Sequence, residues 1–542
     1  MIADNRAVRL LGVLAPVIAL VCCVPGCEQK GESPTAAALE SKPRIGVLPK
    51  GAPKPNIVFI LVDALRADRL GVFGHRGNLT PTIDTIANEG VTFARCVAPA
   101  PWTLPSVASL FVSYYPGVHK ATSYGAVESM EQGKTAYQSV LSDEFETLAE
   151  ALKAHGYDTA GFCANKFIRE RYGFAQGFDH FDTSFAENTV EGSNVNEAAL
   201  KWLEGRGAGK PFFMYLHYMD AHGPYNSDPK FMDPLMGRVE ANPDKQLLSP
   251  GEFKAINAYL KKPPTKTSDP ERYERLKGYR EYWEARYEAG VAEADFYLHQ
   301  LVQRLTEMGV WQDAYVILLA DHGEALCEHG IWDHGYSQYQ TDLHVPLILR
   351  WPNVLPARQG VGRLASLIDV MPTILDQLGL RPGESLQGVS LVDHISGRLP
   401  DKPLARFAEA VKAGKAEYAL FVAGTKLITT EVPTRKLPDG TTSKPGARHQ
   451  LFNLATDDTE KYNLAGQKPE VLERLTMVLA GFMNANQTAK PGLAVSKRAV
   501  EQATMAHLEA LGYVGGEEEE EEDEESDATS PESQPTSDAV DE

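Results

Sequence analysis

The chain has 542 residues, of which 43% are hydrophobic and 23% are charged. A chain of this size and composition can bury a large core, and it fits one large α/β domain with a smaller second one. Its formal net charge of −20 is concentrated in residues 517–542, which hold fourteen Asp and Glu and no Lys or Arg. The rest of the chain is only mildly acidic, so its charge gives no reason to expect nucleic acid as a partner.

The first 27 residues have the features of an export signal. Arg6 and Arg9 precede an apolar stretch that ends at about Cys23 and is shorter than a typical transmembrane helix. The sequence Val-Pro-Gly-Cys that follows resembles a bacterial lipobox. We therefore predict a lipoprotein-type signal peptide at 1–27, lipidation of Cys27, and an exported, membrane-anchored protein in the periplasm or on the cell surface. Ordinary signal cleavage nearby, or an uncleaved anchor, is the alternative.

Residues 28–54 are rich in Pro, Gly, Lys, Ser and Ala and predict a flexible linker. Beyond it, short apolar runs alternate with segments of helical spacing. The runs predict strands at 57–62, 91–96, 157–163, 212–216 and 314–320, and the helical segments lie at 80–90, 145–155 and 282–308. This order predicts an α/β fold with a large mixed, mostly parallel β-sheet flanked by helices.

Two further regions differ in composition. Residues 228–281 are dense in Lys, Glu, Asp, Tyr and Pro, and predict an insertion that either shapes a substrate cleft or is a solvated helical excursion. After residue 391, strand patterns at 418–422 and 425–430 and a helix at about 471–483 predict a small C-terminal α+β subdomain over 392–514. The acidic tail at 515–542 is predicted to be disordered.

Outside the leader the chain has three cysteines, Cys96, Cys163 and Cys327. Their spacing fits neither a disulfide framework nor a zinc cluster. We expect buried thiols, with at most one bridge.

Polar side chains stand at the ends of three predicted strands. Asp63 ends the first, a segment that contains His217 and His222 ends the fourth, and Asp321 and His322 follow the fifth. Ligands of open α/β sheets bind at the carboxyl ends of the strands. Taken singly each residue could be a cap or a loop residue, but jointly they favour a metal site. Asp63, Asp321 and His322 suit one divalent cation (Ca, Mn or Zn) with positions open for substrate, which implies catalysis.

The segment from 55 to 119 resembles the start of a sulfatase domain. The resemblance rests on Pro-Asn-Ile-Val-Phe-Ile-Leu-Val-Asp at 55–63, Thr-Leu-Pro-Ser at 103–106 and Tyr-Pro-Gly-Val-His at 115–119. Later matches are Lys-Pro-Phe-Phe at 210–213, His-Gly-Pro-Tyr at 222–225, Asp-His-Gly-Glu at 321–324, Val-Pro-Leu-Ile at 345–348, Asp-Val-Met-Pro-Thr at 369–373, and residues 457–464. The resemblance implies an alkaline phosphatase-like fold, with the catalytic domain at 55–391, and a one-metal site for hydrolysing sulfate or phosphate esters.

The chain departs from the sulfatase pattern at the nucleophile. The signature Cys-x-Pro-x-Arg or Ser-x-Pro-x-Arg provides a residue that is oxidised to formylglycine, whereas this chain has Thr103 and, in place of the arginine, Val107. Formylglycine is therefore not expected. A threonine here resembles the related phosphodiesterases and phosphoglycerol or phosphoethanolamine transferases, which implies that Thr103 is the nucleophile. Ala64 replaces the second aspartate of the usual metal pair.

The resemblance also implies roles for three residues around this centre, and His217 from the same strand end as His222 is a further candidate. His222 corresponds to the family histidine that contacts the ester and assists the leaving group as a general acid. His334 lies near the position of the substrate-binding lysine, with a structural loop histidine as the alternative. Lys166 could replace a Lys-x-His pair that the chain lacks, and His217 is expected to contact the substrate.

Three functions stay open at this point. The first is a hydrolase of sulfated or phosphorylated esters, including esters on glycans, with Thr103 as nucleophile. The second is a transferase that passes the group to an envelope glycan or lipid. The third is a catalytically silent protein that binds anionic glycans. The joint presence of Asp63, Thr103, Asp321 and His322 favours an enzyme.

Overall fold

The computed structural model describes residues 44–499 apart from 130–132, 188–190, 208, 238–269, 399–403, 413–414, 433, 435–445, 491–492 and 494–495. The predicted signal peptide with Cys27, most of the predicted linker, the larger part of the predicted insertion and the acidic tail therefore lie outside the described residues.

Strands and helices alternate through the first part of the chain, as the sequence predicted. The strands are β1 Ile57–Val62, β2 Val91–Val97, β3 Tyr124–Ser129, β4 Gly133–Ser139, β5 Asp158–Cys163, β6 His180–Asp182, β7 Phe212–Tyr218, β8 Tyr315–Leu319, β9 Ala325–Leu326, β10 Trp332–Asp333, β11 His344–Val345, β12 Leu347–Arg350, β13 Gln359–Ser366, β14 Ala405–Lys412, β15 Lys415–Val422, β16 Thr425–Val432, β17 Gly446–Asn453 and β18 Lys497–Ala499. The α-helices are Pro81–Asn88, Thr103–Val112, Pro116–His119, Leu148–Ala154, Gly192–Gly205, Pro229–Met236, Pro270–Glu307, Gln340–Leu343, Val370–Gln377, Val392–Ile395 and Pro469–Ala489. Short 3-10 helices lie at Ala67–Arg69, Gly71–Phe73, Glu170–Tyr172, Ser184–Glu187, Trp311–Asp313, Glu328–Gly330 and Leu367–Asp369.

The central sheet has nine strands, ordered β11-β2-β12-β8-β1-β7-β5-β6 with β13 paired to β2. Its middle is parallel, because β1 pairs in parallel with β7 and β8, and β5 pairs in parallel with β6 and β7. Strand β12 is antiparallel to both β2 and β8. The sheet is therefore mixed and mostly parallel, which confirms the predicted fold class. All six residues of β1 are buried, as a strand covered on both faces requires.

The helix Thr103–Val112 is among those that the sequence analysis did not predict, and all ten of its residues are buried. A helix that is buried on every side shows no clear amphipathic period, which is why spacing failed to reveal it.

The last part of the predicted linker, residues 44–54, contacts the folded domain and so differs from the expected flexible linker. The Ile45 amide donates to Ser396 Oγ at 2.8 Å, and the Leu48 amide donates to the Gln377 carbonyl at 2.7 Å. Both hydrogen bonds join residues that are far apart in the sequence, so the composition of the segment gives no sign of them.

The C-terminal subdomain is an antiparallel sheet, β14-β15-β16-β17, packed against the helix Pro469–Ala489. Phe407 of the sheet stacks on Phe482 of the helix, with ring centres 5.9 Å apart and planes 2° from parallel. Arg406 joins the subdomain to the main domain, because its Nη2 lies 2.8 Å from Asp369 Oδ2 and both side chains are buried. Asp369 belongs to the Asp-Val-Met-Pro-Thr motif, so that motif has a structural role here.

The structure also describes the three cysteines of the folded domain and part of the predicted insertion at 228–281. Cys96, Cys163 and Cys327 are free, and the first two are buried. The helix Pro270–Glu307 starts inside the predicted insertion. Within the described part of the chain, no helix combines the length and apolarity of a membrane span.

Candidate active site

Four neighbouring parallel strands, β8, β1, β7 and β5, end at one edge of the central sheet. The side chains that stand at these ends are Asp321 and His322 after β8, Asp63 after β1, His217 in β7 with His222 beyond it, and Asn165 and Lys166 after β5. The sheet therefore brings the sequence-predicted residues of four strand ends to one edge. The fourth strand end also adds Asn165, which the sequence analysis missed.

Asp63 is held by two buried donors. Its Oδ2 lies 2.9 Å from His217 Nε2 and accepts a 2.7 Å hydrogen bond from Asn165 Nδ2. The other ring nitrogen of His217 lies 2.8 Å from the Tyr215 hydroxyl. Oδ2 is thus engaged, while Oδ1 stays available on the opposite side of the carboxylate.

Two carboxylate oxygens in this centre lack a protein partner. Within the described residues, Asp63 Oδ1 and Asp321 Oδ2 have no hydrogen-bond donor, although both residues are fully buried. His322 Nε2 lies 3.3 Å from the first and 3.5 Å from the second. Its Nδ1 donates to the Gly323 carbonyl at 2.7 Å, so Nε2 is the ring nitrogen that would bind a cation. Two orphaned oxygens and an imidazole nitrogen fit a divalent cation.

The pKa directions support the same assignment. Burial raises the pKa of Asp63, but the hydrogen bond from His217 and the charges of His222 and His322 outweigh it and hold that pKa well below its usual range. Burial and the negative charge of Asp63 raise the pKa of Asp321, against partial compensation by His322. The two buried carboxylates thus repel each other, and the nearby histidines offset this repulsion only in part. A bound cation would relieve it.

Thr103 lies beside this set, at the first turn of a buried helix. Its Oγ1 is 3.2 Å from His322 Nε2 and 3.5 Å from Asp63 Oδ2, and the residue is 1% exposed. The helix also contacts the metal candidates directly, because Ser106 Oγ donates to the Asp321 carbonyl at 2.6 Å. A helix N-terminus favours negative charge, so the place suits an anionic ester group.

His334 extends the site on the side of His322. Its ring centre lies 4.4 Å from that of His322 and 4.9 Å from that of His222. His334 Nδ1 lies 3.2 Å from Glu324 Oε1 and 3.0 Å from Asp333 Oδ1. Burial lowers the pKa of His334, but these two negative charges outweigh it and raise the pKa well above its usual range. A buried cationic ring is suited to contact an anion, as the lysine of the family pattern would.

The loop that carries His334 has an unusual backbone. Cys327, His329 and Asp333 have positive φ values of 74°, 56° and 70°. Such conformations cost free energy in non-glycine residues and cluster at functional sites. The His329 ring stacks on Tyr339 at 3.7 Å between centres, and Arg66 donates to the Glu324 carbonyl at 2.8 Å, which stabilises the loop.

Two predicted substrate contacts have different surroundings. Lys166 follows Asn165 and, like His222, is 7% exposed, so both stand where solvent begins to reach the site. His217 is fully buried, and its Nε2 faces Asp63. The structure thus places His217 beside Asp63, and its expected contact with substrate stays a prediction.

A comparison with known families fits this geometry. The sulfatase family profile matches residues 55–380, which is more than half of the chain. The chain belongs to the sulfatase family. It is accordingly a sulfatase-family ester hydrolase, and the resemblance seen in the sequence is confirmed.

Relatives of this sulfatase include two curated enzymes. The N-acetylglucosamine-6-O-sulfatase of Bacteroides thetaiotaomicron is 26% identical over 409 residues, which are 62% of this chain and 70% of that enzyme. Arylsulfatase K of Xenopus laevis is 24% identical over 485 residues, 80% of this chain and 83% of its own length.

Two solved structures share the fold of this sulfatase. One is a protein in complex with its substrate D-glucosamine-2-N,6-O-disulfate, with a TM-score of 0.61, 19% identity, and coverage of 81% of this chain and 99% of that chain. The other is the phosphonate monoester hydrolase of Agrobacterium radiobacter, with a TM-score of 0.59, 20% identity, and coverage of 80% and 97%.

Proposed function

We propose that this sulfatase hydrolyses sulfate esters of glycans with Thr103 as the nucleophile, at a site that holds one divalent cation. The observation that carries the proposal is the position of Thr103 Oγ1, 3.2 Å from His322 Nε2 and 3.5 Å from Asp63 Oδ2. The glycan part is supported by the names of the N-acetylglucosamine-6-O-sulfatase relative and of the glucosamine disulfate complex.

The residues that would hold the cation are Asp63, Asp321 and His322. When bound, the cation would supply positive charge beside the ester oxygens and the Thr103 hydroxyl. We assign manganese or zinc ahead of calcium, because an imidazole is a poor ligand for calcium.

In the first step, Thr103 Oγ1 forms a bond to sulfur while the bond from sulfur to the leaving oxygen breaks. His222 delivers a proton to that oxygen, so the alcohol leaves neutral, and the proton of the Thr103 hydroxyl passes to solvent water. In the second step, water attacks the sulfur of the threonine sulfate ester while the bond from sulfur to Thr103 Oγ1 breaks. One proton of this water returns to His222 and the other restores the Thr103 hydroxyl, so that sulfate leaves. His334 and Lys166 contact the sulfate oxygens throughout.

Formylglycine does not enter this scheme, because the chain has Thr103 where the modified residue stands. Export and anchoring through a lipidated Cys27 are part of the proposal and rest on the leader sequence. We expect Cys27→Ala to abolish metabolic labelling with palmitate and to release the protein from the membrane fraction; labelling that persists in this variant would contradict the anchor.

The test compares full-length protein with its Thr103→Ala and Thr103→Ser variants and with a surface control, Thr85→Ala. Metal-stripped samples are assayed with an aryl sulfate, an aryl phosphate diester and an aryl phosphonate ester, with manganese, zinc or calcium added. We expect metal-dependent turnover of the sulfate, a loss of at least about 10⁴-fold in Thr103→Ala, and partial activity in Thr103→Ser.

The other outcomes separate the alternatives. Preferred turnover of the phosphate or phosphonate ester would replace sulfate as the substrate class. Release of the alcohol only when a glycan or lipid acceptor is added would indicate a transferase. No turnover under any condition by folded protein would favour a silent binding protein.

A further inference from the structure

A cavity of about 200 Å³ lies between the start of the Thr103 helix and the C-terminal subdomain. Its walls include Trp102 from the main domain, Glu409 and Tyr418 from β14 and β15, and Asn486 from the helix Pro469–Ala489. Trp102 directly precedes the candidate nucleophile in the sequence, and Pro105 of the same helix also lines the cavity.

The cavity has buried polar groups that a purely structural contact would not need. Asn486 is 4% exposed, and its Oδ1 accepts a 2.9 Å hydrogen bond from Gln387 Nε2. Its Nδ2 has no hydrogen-bond partner among the described residues. Leaving a buried donor unsatisfied costs about 1–3 kcal/mol, so this amide is suited to a ligand oxygen.

Glu409 offers an acceptor in the same cavity. It is 9% exposed and accepts a hydrogen bond from the Gly117 amide through Oε1, which leaves Oε2 for a ligand. The approach is close, since a Cβ added at Gly117 would lie 2.8 Å from Glu409 Oε1. Burial raises the pKa of Glu409 to about 7, so this carboxyl can serve as donor or acceptor near neutrality.

Two further walls are aromatic, and Lys120 adds a basic group to the lining. Trp102 is 6% exposed and packs edge-on against Phe167, at 5.9 Å between ring centres. Tyr418 stacks on Phe407 at 5.9 Å, with the planes 24° apart. Aromatic faces bind the C–H faces of a sugar ring, while a carboxyl and an amide bind its hydroxyls. The combination is therefore the chemistry of a saccharide site.

A second cavity continues the first across the subdomain. It has a volume of about 600 Å³, and Tyr418 and Met483 line both cavities. Polar side chains of Thr429, Glu431 and His449 line its far part. Tyr418 and Met483 thus stand between the cavity at Trp102 and the larger cavity over β16 and β17.

We propose that the two cavities form a glycan-binding groove, in which the sugar next to the esterified unit binds between Trp102, Glu409 and Asn486, and the chain continues past Tyr418. The proposal deepens the proposed function and rests on it, because it assigns the groove to the same glycan. It predicts an enzyme that prefers oligosaccharides to single sugars.

The test is binding of N-acetylglucosamine 6-sulfate, and of a sulfated tetrasaccharide that contains it, to full-length Thr103→Ala protein by calorimetry. We expect the tetrasaccharide to bind at least about 10-fold more tightly than the monosaccharide. Asn486→Ala and Glu409→Gln should each weaken tetrasaccharide binding by about 10-fold and change the monosaccharide affinity less than about 2-fold. Asn484→Ala on the same helix and Glu470→Gln are the matched exposed controls.

Equal affinities for the two saccharides, absence of tetrasaccharide binding, or unchanged affinity in both cavity variants would overturn the groove. Circular dichroism of each variant excludes misfolding as the cause of a loss. Failure of the proposed function is distinguished by a different measurement: the wild-type protein would then show no Thr103-dependent turnover of the aryl sulfate.

Discussion

Asp63 and His217 form a fully buried pair in which the histidine Nε2 lies 2.9 Å from the carboxylate Oδ2. The Tyr215 hydroxyl, 2.8 Å from Nδ1, fixes the ring from the other side. With Asn165 also bonded to Oδ2, the carboxylate cannot rotate freely. Its Oδ1 is thereby kept in place for the proposed cation, in a centre where Ala64 stands after Asp63.

The first prediction concerns this pair. We expect His217→Asn to lower the affinity for manganese or zinc about 10–100-fold, because the shorter side chain cannot span Tyr215 and Asp63. Competition with a fluorescent chelator measures the affinity. The control is His180→Asn at an exposed position. Equal affinities in variant and wild type would show that His217 does not position Asp63.

The second prediction concerns Glu324 and His334, which are both 1% exposed and lie 3.2 Å apart. Glu324→Gln keeps the size of the side chain but removes the charge that holds the His334 ring. We expect kcat for the aryl sulfate to fall about 10–100-fold while metal affinity stays within about 2-fold. Steady-state kinetics at saturating metal checks this, with the exposed Glu473→Gln as control. A change confined to metal affinity would instead place Glu324 in the metal site.

The third prediction concerns the ion pair between Lys426 and Glu460, which are 0% and 1% exposed and whose charged atoms lie 2.5 Å apart. Glu460 Oε2 also accepts a 2.6 Å hydrogen bond from the Gln340 amide and so supports the loop behind His334. We expect Lys426→Met to lower the free energy of unfolding by about 3–5 kcal/mol, because it leaves a buried charge without a partner.

Adding Glu460→Gln to Lys426→Met should restore part of this stability, because the double variant holds no uncompensated charge. Urea unfolding of the wild type, both single variants and the double variant gives the coupling free energy. Strict additivity of the two single effects would rule out the ion pair as the source.

The fourth prediction is a pH dependence at Glu409. Burial raises its pKa from 4.5 to about 7, and the Gly117 amide and Lys120 oppose this rise. Because the pKa of Glu409 is raised in the folded protein, its protonated carboxyl contributes to the free energy of unfolding. This contribution is fully present below about pH 4.5 and is lost as the pH rises through about 7. The loss is about 3 kcal/mol by proton linkage.

We therefore expect the difference in unfolding free energy between Glu409→Gln and wild type to shift in favour of the variant between pH 5 and pH 8, by up to about 3 kcal/mol. Urea unfolding at a series of pH values measures it, and Glu470→Gln should show no such trend. A parallel pH profile for Glu409→Gln and wild type would mean that Glu409 titrates normally.

Several strands and part of the candidate site could be predicted from the sequence. Strands β1, β7 and β8 could be predicted because short, continuous apolar runs are typical of strands in a sheet that is covered on both faces. Asp63, Asp321 and His322 could be grouped because parallel strands of one sheet end at a common edge. The sulfatase resemblance placed Thr103 beside them.

Tertiary structure alone decided the rest. The helix at Thr103–Val112 is buried on every side, so no period in its sequence distinguishes it from a strand or a loop. Asn165 and His217 hold Asp63 through contacts between β1 and its neighbours, and Glu324 meets His334 only because a loop with left-handed residues folds back. Partners so far apart in the chain are set by strand order and packing, which local sequence does not encode.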